Sequence, residues 1–262
     1  MGQRTQYAPG TFCWIDLATS DQDGAKEFYS AMFGWEADDR PVGDGVVYSM
    51  MRREGHDVAG IAPLMGDQVA QGVPPHWNSY VGVQSADDAA SRAGNLGATV
   101  VAPPFDVLDV GRMAVLQDPQ GAFLAVWEAR TQIGAGLVNV PGALTWNDLA
   151  TPDPDAASRF YADLFGWTFE PFGAEGAYLV IRNGERGNGG IRRLSDEEQQ
   201  MGIPANWLPY IACEDLERAL ADVRRLGGQV HMDPLDIGVG RIAPVADPQG
   251  GTFLLYQGRL DD

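Results

Sequence analysis

The chain has 262 residues, with 36 acidic side chains against 18 basic ones, a formal net charge of −18 and a pI near 4.4. At roughly 150 residues per domain this length predicts two domains, and it is enough to bury a core without disulfide or metal staples. The acidic excess argues against nucleic acid, whose binding rests on Lys and Arg displacing counterions, and against an anionic membrane surface. Hydrophobic residues at 45% and charged residues at 21% are globular proportions, so a soluble protein with a small-molecule or protein partner is expected. Lys26 is the single lysine, and beside Glu27 on a polar helix face it makes a poor Schiff-base nucleophile. Cys13 and Cys213 form no C-x-x-C pair, and the first residues lack an apolar leader, which predicts a cytoplasmic location.

In chain order, Thr11 to Ala18 alternates as a strand, with Phe12, Trp14 and Asp16 on one face and Cys13, Ile15 and Leu17 on the other. Thr19 or Asp21 caps a helix whose apolar stripe is Ala25, Phe28, Tyr29, Met32 and Phe33, and Gly34 ends it. Strands are predicted at Val46 to Arg52 and Val58 to Leu64. A second unit starts with a strand at Ser79 to Val83 and a helix from Asp87 to Leu96, closed by Gly97. Strands follow near Thr99, at Met113 to Gln117 and at Phe123 to Glu128, with Asp118-Pro119-Gln120-Gly121 as the last hairpin turn.

From Pro141 the pattern begins again. Pro9 to Asp39 lies over Pro141 to Pro171 without a gap, with 15 of 31 positions identical. The shared residues include Trp14/Trp146, Asp16/Asp148, Tyr29/Tyr161 and the triplet Phe33-Gly34-Trp35/Phe165-Gly166-Trp167. Later, Trp77 and Tyr80 correspond to Trp207 and Tyr210, Gly111-Arg112 to Gly240-Arg241, and Asp118-Pro119-Gln120-Gly121 to Asp247-Pro248-Gln249-Gly250. The fourth unit carries a helix with Leu216, Leu220, Val223 and Leu226 on one stripe, followed by Gly227-Gly228. The acidic run Ser195 to Glu198 reads as a solvated loop or helix start. The chain is thus expected to hold two homologous domains, 1–129 and 141–262, joined by a linker at 130–140. Each domain is a pair of βαβββ units, an α+β architecture.

A strand, a helix ending in Phe-Tyr-x-x-x-Phe-Gly-Trp, and a later Leu-Gly helix end before an Asp-Pro-Gln-Gly hairpin resemble the vicinal-oxygen-chelate superfamily. This is the glyoxalase, bleomycin-resistance and extradiol-dioxygenase group, and the resemblance covers nearly the whole chain. Within it the sequence is similar to tandem glyoxalase-like proteins of actinobacteria labelled antigens or hydroxylases. The resemblance implies four βαβββ modules forming two glyoxalase-like half-open barrels, each around a cavity.

Metal-dependent members draw one ligand from the first and one from the last strand of each module, up to four His, Glu or Gln side chains around one divalent ion. Carried over position by position, those places fall on Trp14, about Gly60, Asn78 and Ala125, and in the second half on Trp146, about Gly190, Leu208 and about Leu254. None is a His, Glu or Gln, so neither a metal nor any other cofactor is expected. His56, His76 and His231 lie outside these positions and have no counterparts in the other half; His76, at a strand entrance after Pro74-Pro75, is the best placed. Glu128 and Gln257 match each other but have the wrong parity for ligands.

The inward faces remain. Trp14 and Asp16 share a face with Asn78, Tyr80 and Trp127, and Trp146 and Asp148 with Tyr210. Indole and phenol rings with few polar atoms suit a planar, largely apolar ligand, or else simply fill the cavity as core. Asp16 and Asp148 are costly to bury unless paired, and Arg112 and Arg241 are the expected partners because they repeat in step. A structural clamp and a catalytic carboxylate both fit that pattern, with the arginine as an anion holder in the second case. Three functions stay open. One is metal-independent binding of a planar small molecule. Another is a lyase, isomerase or hydroxylase-like enzyme with Asp16 or Asp148 as general base, or a divergent metal-dependent glyoxalase or dioxygenase. The third is a protein-interaction scaffold with collapsed cavities. Four modules in one chain complete both half-barrels internally, so a monomer or a homodimer is expected.

Overall fold

A computed structural model describes residues 2–43, 45–173 and 176–260. The first half runs β1 (Phe12–Thr19), α1 (Gln22–Phe33), β2 (Glu36–Gly43), β3 (Val46–Arg53), β4 (His56–Pro63), α2 (Gly66–Ala70), β5 (His76–Gly82), α3 (Ala86–Asn95), β6 (Thr99–Val107), β7 (Gly111–Gln117) and β8 (Phe123–Ala129). The second runs β9 (Leu144–Thr151), α4 (Pro154–Phe165), β10 (Thr168–Phe172), β11 (Tyr178–Asn183), β12 (Arg186–Arg193), α5 (Asp196–Gln200), β13 (Asn206–Ala212), α6 (Leu216–Arg225), β14 (Gln229–Val230), β15 (Leu235–Asp236), β16 (Gly240–Ala246) and β17 (Thr252–Gly258). Each half is one curled sheet, ordered β2-β3-β4-β1-β5-β8-β7-β6 and β10-β11-β12-β9-β13-β17-β16-β14, with β15 beside β16. This is the expected pair of half-barrels. Among the described residues no helix is long and apolar enough to cross a membrane.

Asp21, not Thr19, caps α1 by accepting the Gly24 amide (3.0 Å), and Asp153 does the same for α4 through Ala156. Gly34 and Gly166 end those helices in the left-handed region, at φ +68° and +77°. Strand β2 escapes a periodicity reading because Glu36 to Gly43 is a mostly exposed, polar edge strand with no apolar alternation. Pro103 and Pro104 lie where β6 slips register against β7, since neither has an amide to donate to the ladder. In the fourth module the outer strand is divided into β14 and β15, with Pro234 in the gap. Glu128 and Gln257, matched but unexplained in the sequence, accept the first amides of α3 (Ala86) and α6 (Leu216) from the ends of the last strands.

The convex faces of the two sheets are spent on one another. Phe28, Tyr29 and Phe33 of α1 share a buried core with Leu216, Leu220 and Val223 of α6 and with Phe253 of β17. Reciprocally, Phe160, Tyr161 and Leu164 of α4 share one with Ala86, Ala90 and Ala93 of α3 and with Val126 of β8. Each helix of the first and third modules therefore completes the core of the opposite half. Two buried hydrogen-bond relays mark the joins. Trp77 Nε1 donates to the Tyr29 hydroxyl, which donates to Asp247 (2.9 Å); Trp207 Nε1 donates to the Tyr161 hydroxyl, which donates to Asp118 (2.8 Å). The other oxygen of each carboxylate accepts the glutamine amide of its own Asp-Pro-Gln-Gly turn and the amide of the residue that follows it, Ala122 or Gly251. Trp35 and Trp167 add a second reciprocal pair, donating to the carbonyls of Gly142 and Gly10.

Residues 130–140, expected as a linker, are held down rather than free. Ala135, Leu137 and Val138 are buried, and Gln3 and Leu137 form a β-bridge. Removing one phenol hydroxyl, by Tyr29→Phe or Tyr161→Phe, leaves a buried carboxylate oxygen and an indole N–H short of a partner. Each variant is expected to lose about 1–3 kcal/mol in urea unfolding. Because the cores are shared, the whole transition moves, and a biphasic curve with only one half affected would contradict this architecture.

Candidate functional site

The concave face of each sheet is built by alternation. Asp16 on β1 stands opposite Gly60 of β4 and Asn78 of β5, Trp14 opposite Tyr80, and Tyr80 opposite Ala125 of β8. In the second half Asp148 stands opposite Gly190 and Leu208, Trp146 opposite Tyr210, and Tyr210 opposite Leu254. Trp14, Asp16, Asn78 and Tyr80 thus come together, as do Trp146, Asp148 and Tyr210, with Trp127 two residues along β8 from Ala125. Phe12, read on the face of Trp14 and Asp16, does not, because β1 shifts register between Phe12 and Trp14 and Phe12 packs against Trp167 and Trp207.

Asp16 is 7% exposed and receives three hydrogen bonds: Asn78 Nδ2 at 2.9 Å, Tyr80 hydroxyl at 2.7 Å and Tyr48 hydroxyl at 3.2 Å. Trp14 Nε1 donates in turn to the Tyr48 oxygen (2.9 Å). Asp148 is 5% exposed and receives Tyr178 and Tyr210 hydroxyls at 2.5 Å each and Trp146 Nε1 at 3.1 Å, with the Arg192 guanidinium nearby. Burial pushes both carboxyls above the usual Asp range, and the donated hydrogen bonds pull them part of the way back. The surrounding phenols are held well above their ordinary range, first by burial and then by the neighbouring carboxylates, so they act as donors.

Arg112 and Arg241 do not partner these aspartates. Arg112 forks onto Asp87 and Asp106, and Arg241 pairs with Glu217. The reason is parity: Arg112 lies opposite Glu128, which points to the helix side, whereas its neighbour Met113 lies opposite Trp127. The partners that sequence reading missed are Tyr48, Tyr178 and Arg192. A signal existed, because each tyrosine is followed twelve positions later by the glycine it covers, Gly60 or Gly190. A Cβ on Gly60 would lie 1.8 Å from the Tyr48 hydroxyl oxygen, and one on Gly190 would lie 1.7 Å from that of Tyr178. The phenol fills the space a side chain at that position would need.

That exchange decides the metal question for the residues present. A divalent ion of the kind the fold implies needs several His or carboxylate donors converging at about 2.0–2.2 Å. The first face offers only Asp16 and the second offers Asp148 with Glu198, the latter tied to Arg192, all already occupied by donors, and the last-strand position of the first module is a glycine beneath a phenol. Among the described residues no three His, Cys, Asp or Glu side chains cluster. The donor set does not fit such an ion. His76 faces the first cavity near Asp16 with Nδ1–H on the Pro74 carbonyl (2.8 Å), His56 meets the Gln3 amide, and His231 is exposed. Two surface cavities, of about 310 and 220 Å³, flank the linker at Ile133, and neither is lined by Asp16 or Asp148.

Residues 14–126 and 146–256 each match the glyoxalase-like domain family, and the chain belongs to that family. It is 42% identical over 257 residues, 97% of both chains, to "Putative glyoxylase CFP32" of Mycobacterium tuberculosis. It is 30% identical over 264 residues to the anthracycline biosynthesis protein DnrV of Streptomyces peucetius, covering 97% of this chain and 95% of that one. Among solved structures, the 2,3-dioxygenase LapB from Pseudomonas sp. KL28 superposes with a TM-score of 0.66 at 15% identity, covering 97% of this chain and 96% of that one. The Mn(II)-bound glyoxalase from Novosphingobium aromaticivorans gives 0.64 at 14% identity, covering 100% and 84%. At these identities the structural likeness establishes the fold.

A carboxyl raised by folding favours the protonated folded form. Its stabilising share is therefore complete below the unfolded value, near pH 4, and is lost as pH rises through the raised folded value. Asp118 and Asp247 are shifted the same way, so the test is a difference. Asp16→Asn and Asp148→Asn are expected to lose less midpoint temperature between pH 4 and pH 7 than the parent; equal losses would show that these two carboxyls are not shifted.

Proposed function

We propose that the protein binds a flat, largely apolar small molecule on an aromatic-lined concave face, using no metal ion. The observation that carries this reading is the Tyr48–Gly60 and Tyr178–Gly190 exchange, which puts aromatic rings where ligating side chains would have to stand. Rings on that face offer stacking area, while the phenol oxygens and a buried carboxylate orient one or two polar atoms. The anthracycline biosynthesis relatives support the same ligand shape, since anthracyclines are flat fused-ring molecules. Each half builds its face from its own two modules, so binding needs no second copy, and either a monomer or a homodimer suffices. We take the protein to act in the cytoplasm, where the two free thiols, Cys13 and Cys213, stay reduced.

A stacked ligand is expected to raise the unfolding midpoint in a screen of flat aromatic compounds and to quench tryptophan emission. Replacing the indole it stacks on, by Trp14→Ala or Trp146→Ala, should cost about tenfold or more in affinity. Unchanged affinity in both variants would remove the concave faces from consideration.

The raised carboxyls of Asp16 and Asp148 favour a second reading, a proton-transferring lyase, isomerase or hydroxylase-like enzyme with one of them as general base. Against it, three donors already occupy each carboxylate. Turnover of a bound compound that disappears in Asp148→Asn or Asp16→Asn while binding persists would establish the enzyme.

A further inference from the structure

The two concave faces are not equivalent, and we infer that the second one is the ligand site and that it prefers a flat aromatic cation to a flat anion. This rests on the binding function proposed above and adds which half and which charge.

The first face is strapped. After β8 the chain turns back across it: Trp127 Nε1 donates to the Gln132 carbonyl (2.8 Å), and the Gln132 side chain reaches Met50 and Asp57. The Ala135 amide then donates to the Cys13 carbonyl and the Gly136 amide to that of Asp57, both at 2.7 Å, while the Tyr7 hydroxyl ties down the Ala135 carbonyl from outside (2.6 Å). Gly134 sits at φ +110°, and a Cβ there would fall 2.3 Å from the Cys13 carbonyl oxygen, so the strap lies directly on the β1 backbone. In consequence Trp14 is 7% exposed, and the rings around it merge with the large core that contains Ala135, Leu137 and Val138.

The second face keeps its own apolar cluster. Tyr210, Leu254 and Tyr256 form it, and Trp146, Leu208 and Ile242 pack against it half-buried. Tyr256, at the place of Trp127, shares its hydroxyl between the Val239 and Arg259 carbonyls, with Ile237 and Leu260 packed against the same cluster. Leu208 and Leu254 stand where the first face has Asn78 and Ala125, which makes this surface the more apolar of the two. A flat molecule lying against the half-buried Trp146, Leu208 and Ile242 removes their remaining exposed area from water.

Charge sets the preference. On the same face Arg192 follows Gly190 by two residues and holds Glu198 with two bonds of 2.7 and 2.6 Å. Arg182 and Glu170 on the outer strands neutralise each other. Glu198 cancels Arg192, so Asp148 sets the sign of the face: uncharged while its raised carboxyl stays protonated and negative once pH passes that raised value, on a chain whose net charge is −18. A concave surface of that sign concentrates cations and repels anions.

The test is a fluorescence titration of the full chain with 9-aminoacridine, a flat monocation, and with 1-pyrenesulfonate, a flat monoanion. The cation is expected to bind about tenfold or more tightly than the anion at low salt, and the gap should shrink as salt is added and in Glu198→Gln. Leu254→Trp, which fills the second face, should weaken the cation about tenfold or more. Leu208→Asn, which copies the first face with a smaller change, should act in the same direction and carries the test if the tryptophan variant does not fold. Tighter binding of the anion would overturn the charge preference. Loss of binding in Ala125→Trp but not in Leu254→Trp or Leu208→Asn would move the site to the first half. Failure of both probes together with a screen of flat neutral compounds would instead sink the binding function itself.

Discussion

Two phenol–carboxylate bonds, Tyr29 to Asp247 and Tyr161 to Asp118, hold the molecule in its arrangement. Each is buried, each joins a helix of one half to a hairpin of the other, and each is braced by an indole N–H from behind. A carboxylate in an apolar core is tolerable only when its oxygens are satisfied. Here the turn amides take one oxygen and a tyrosine from the opposite half takes the other. The cost of burying the charge therefore enforces a particular docking of the halves, since any other docking strands an anion. Once that docking is set, the convex faces and all the long helices are committed to the shared cores. Only the concave faces are left to meet a ligand.

The same chemical pair recurs inside the concavities with a different support. Besides one phenol each, Asp118 and Asp247 lean on backbone amides, which no substitution other than proline removes. Asp16 and Asp148 lean solely on side chains: phenols, an indole and, in the first half, one amide. The first pair of carboxylates belongs to the fold and the second pair belongs to the surfaces, whose partners vary between halves, as Asn78 and Leu208 show.

Much of this was readable from the residues. The duplication, the helix stripes and their glycine ends, and the shared inward face of Trp14, Asp16, Asn78 and Tyr80 all follow from periodicity and from the repeat. Strand parity excludes the arginine partners: with Met113 facing in, Arg112 has to face out. Tyr48 and Tyr178 lie on strands whose loops differ in length, so the repeat does not align them, although their fixed spacing to Gly60 and Gly190 does. The cross-half relays are visible in the sequence only as three repeated pairs, Trp77/Trp207, Tyr29/Tyr161 and Asp118/Asp247. Nothing in a sequence says that a repeated tyrosine meets the aspartate of the other copy rather than its own, because that choice is made by packing of whole helices.

The tyrosine over its glycine also carries a historical consequence. A side chain introduced at 60 collides with the Tyr48 oxygen at 1.8 Å, while loss of the phenol alone leaves the Trp14 indole without its acceptor and Asp16 with one donor fewer. Neither single step toward a ligating residue is neutral, so a lineage that has made this exchange is held there as by a ratchet. The same exchange stands in both halves, which means that it preceded the duplication or was fixed twice. What is left free to change is the lining around the locked pair, where Asn78 and Leu208 already differ between the halves.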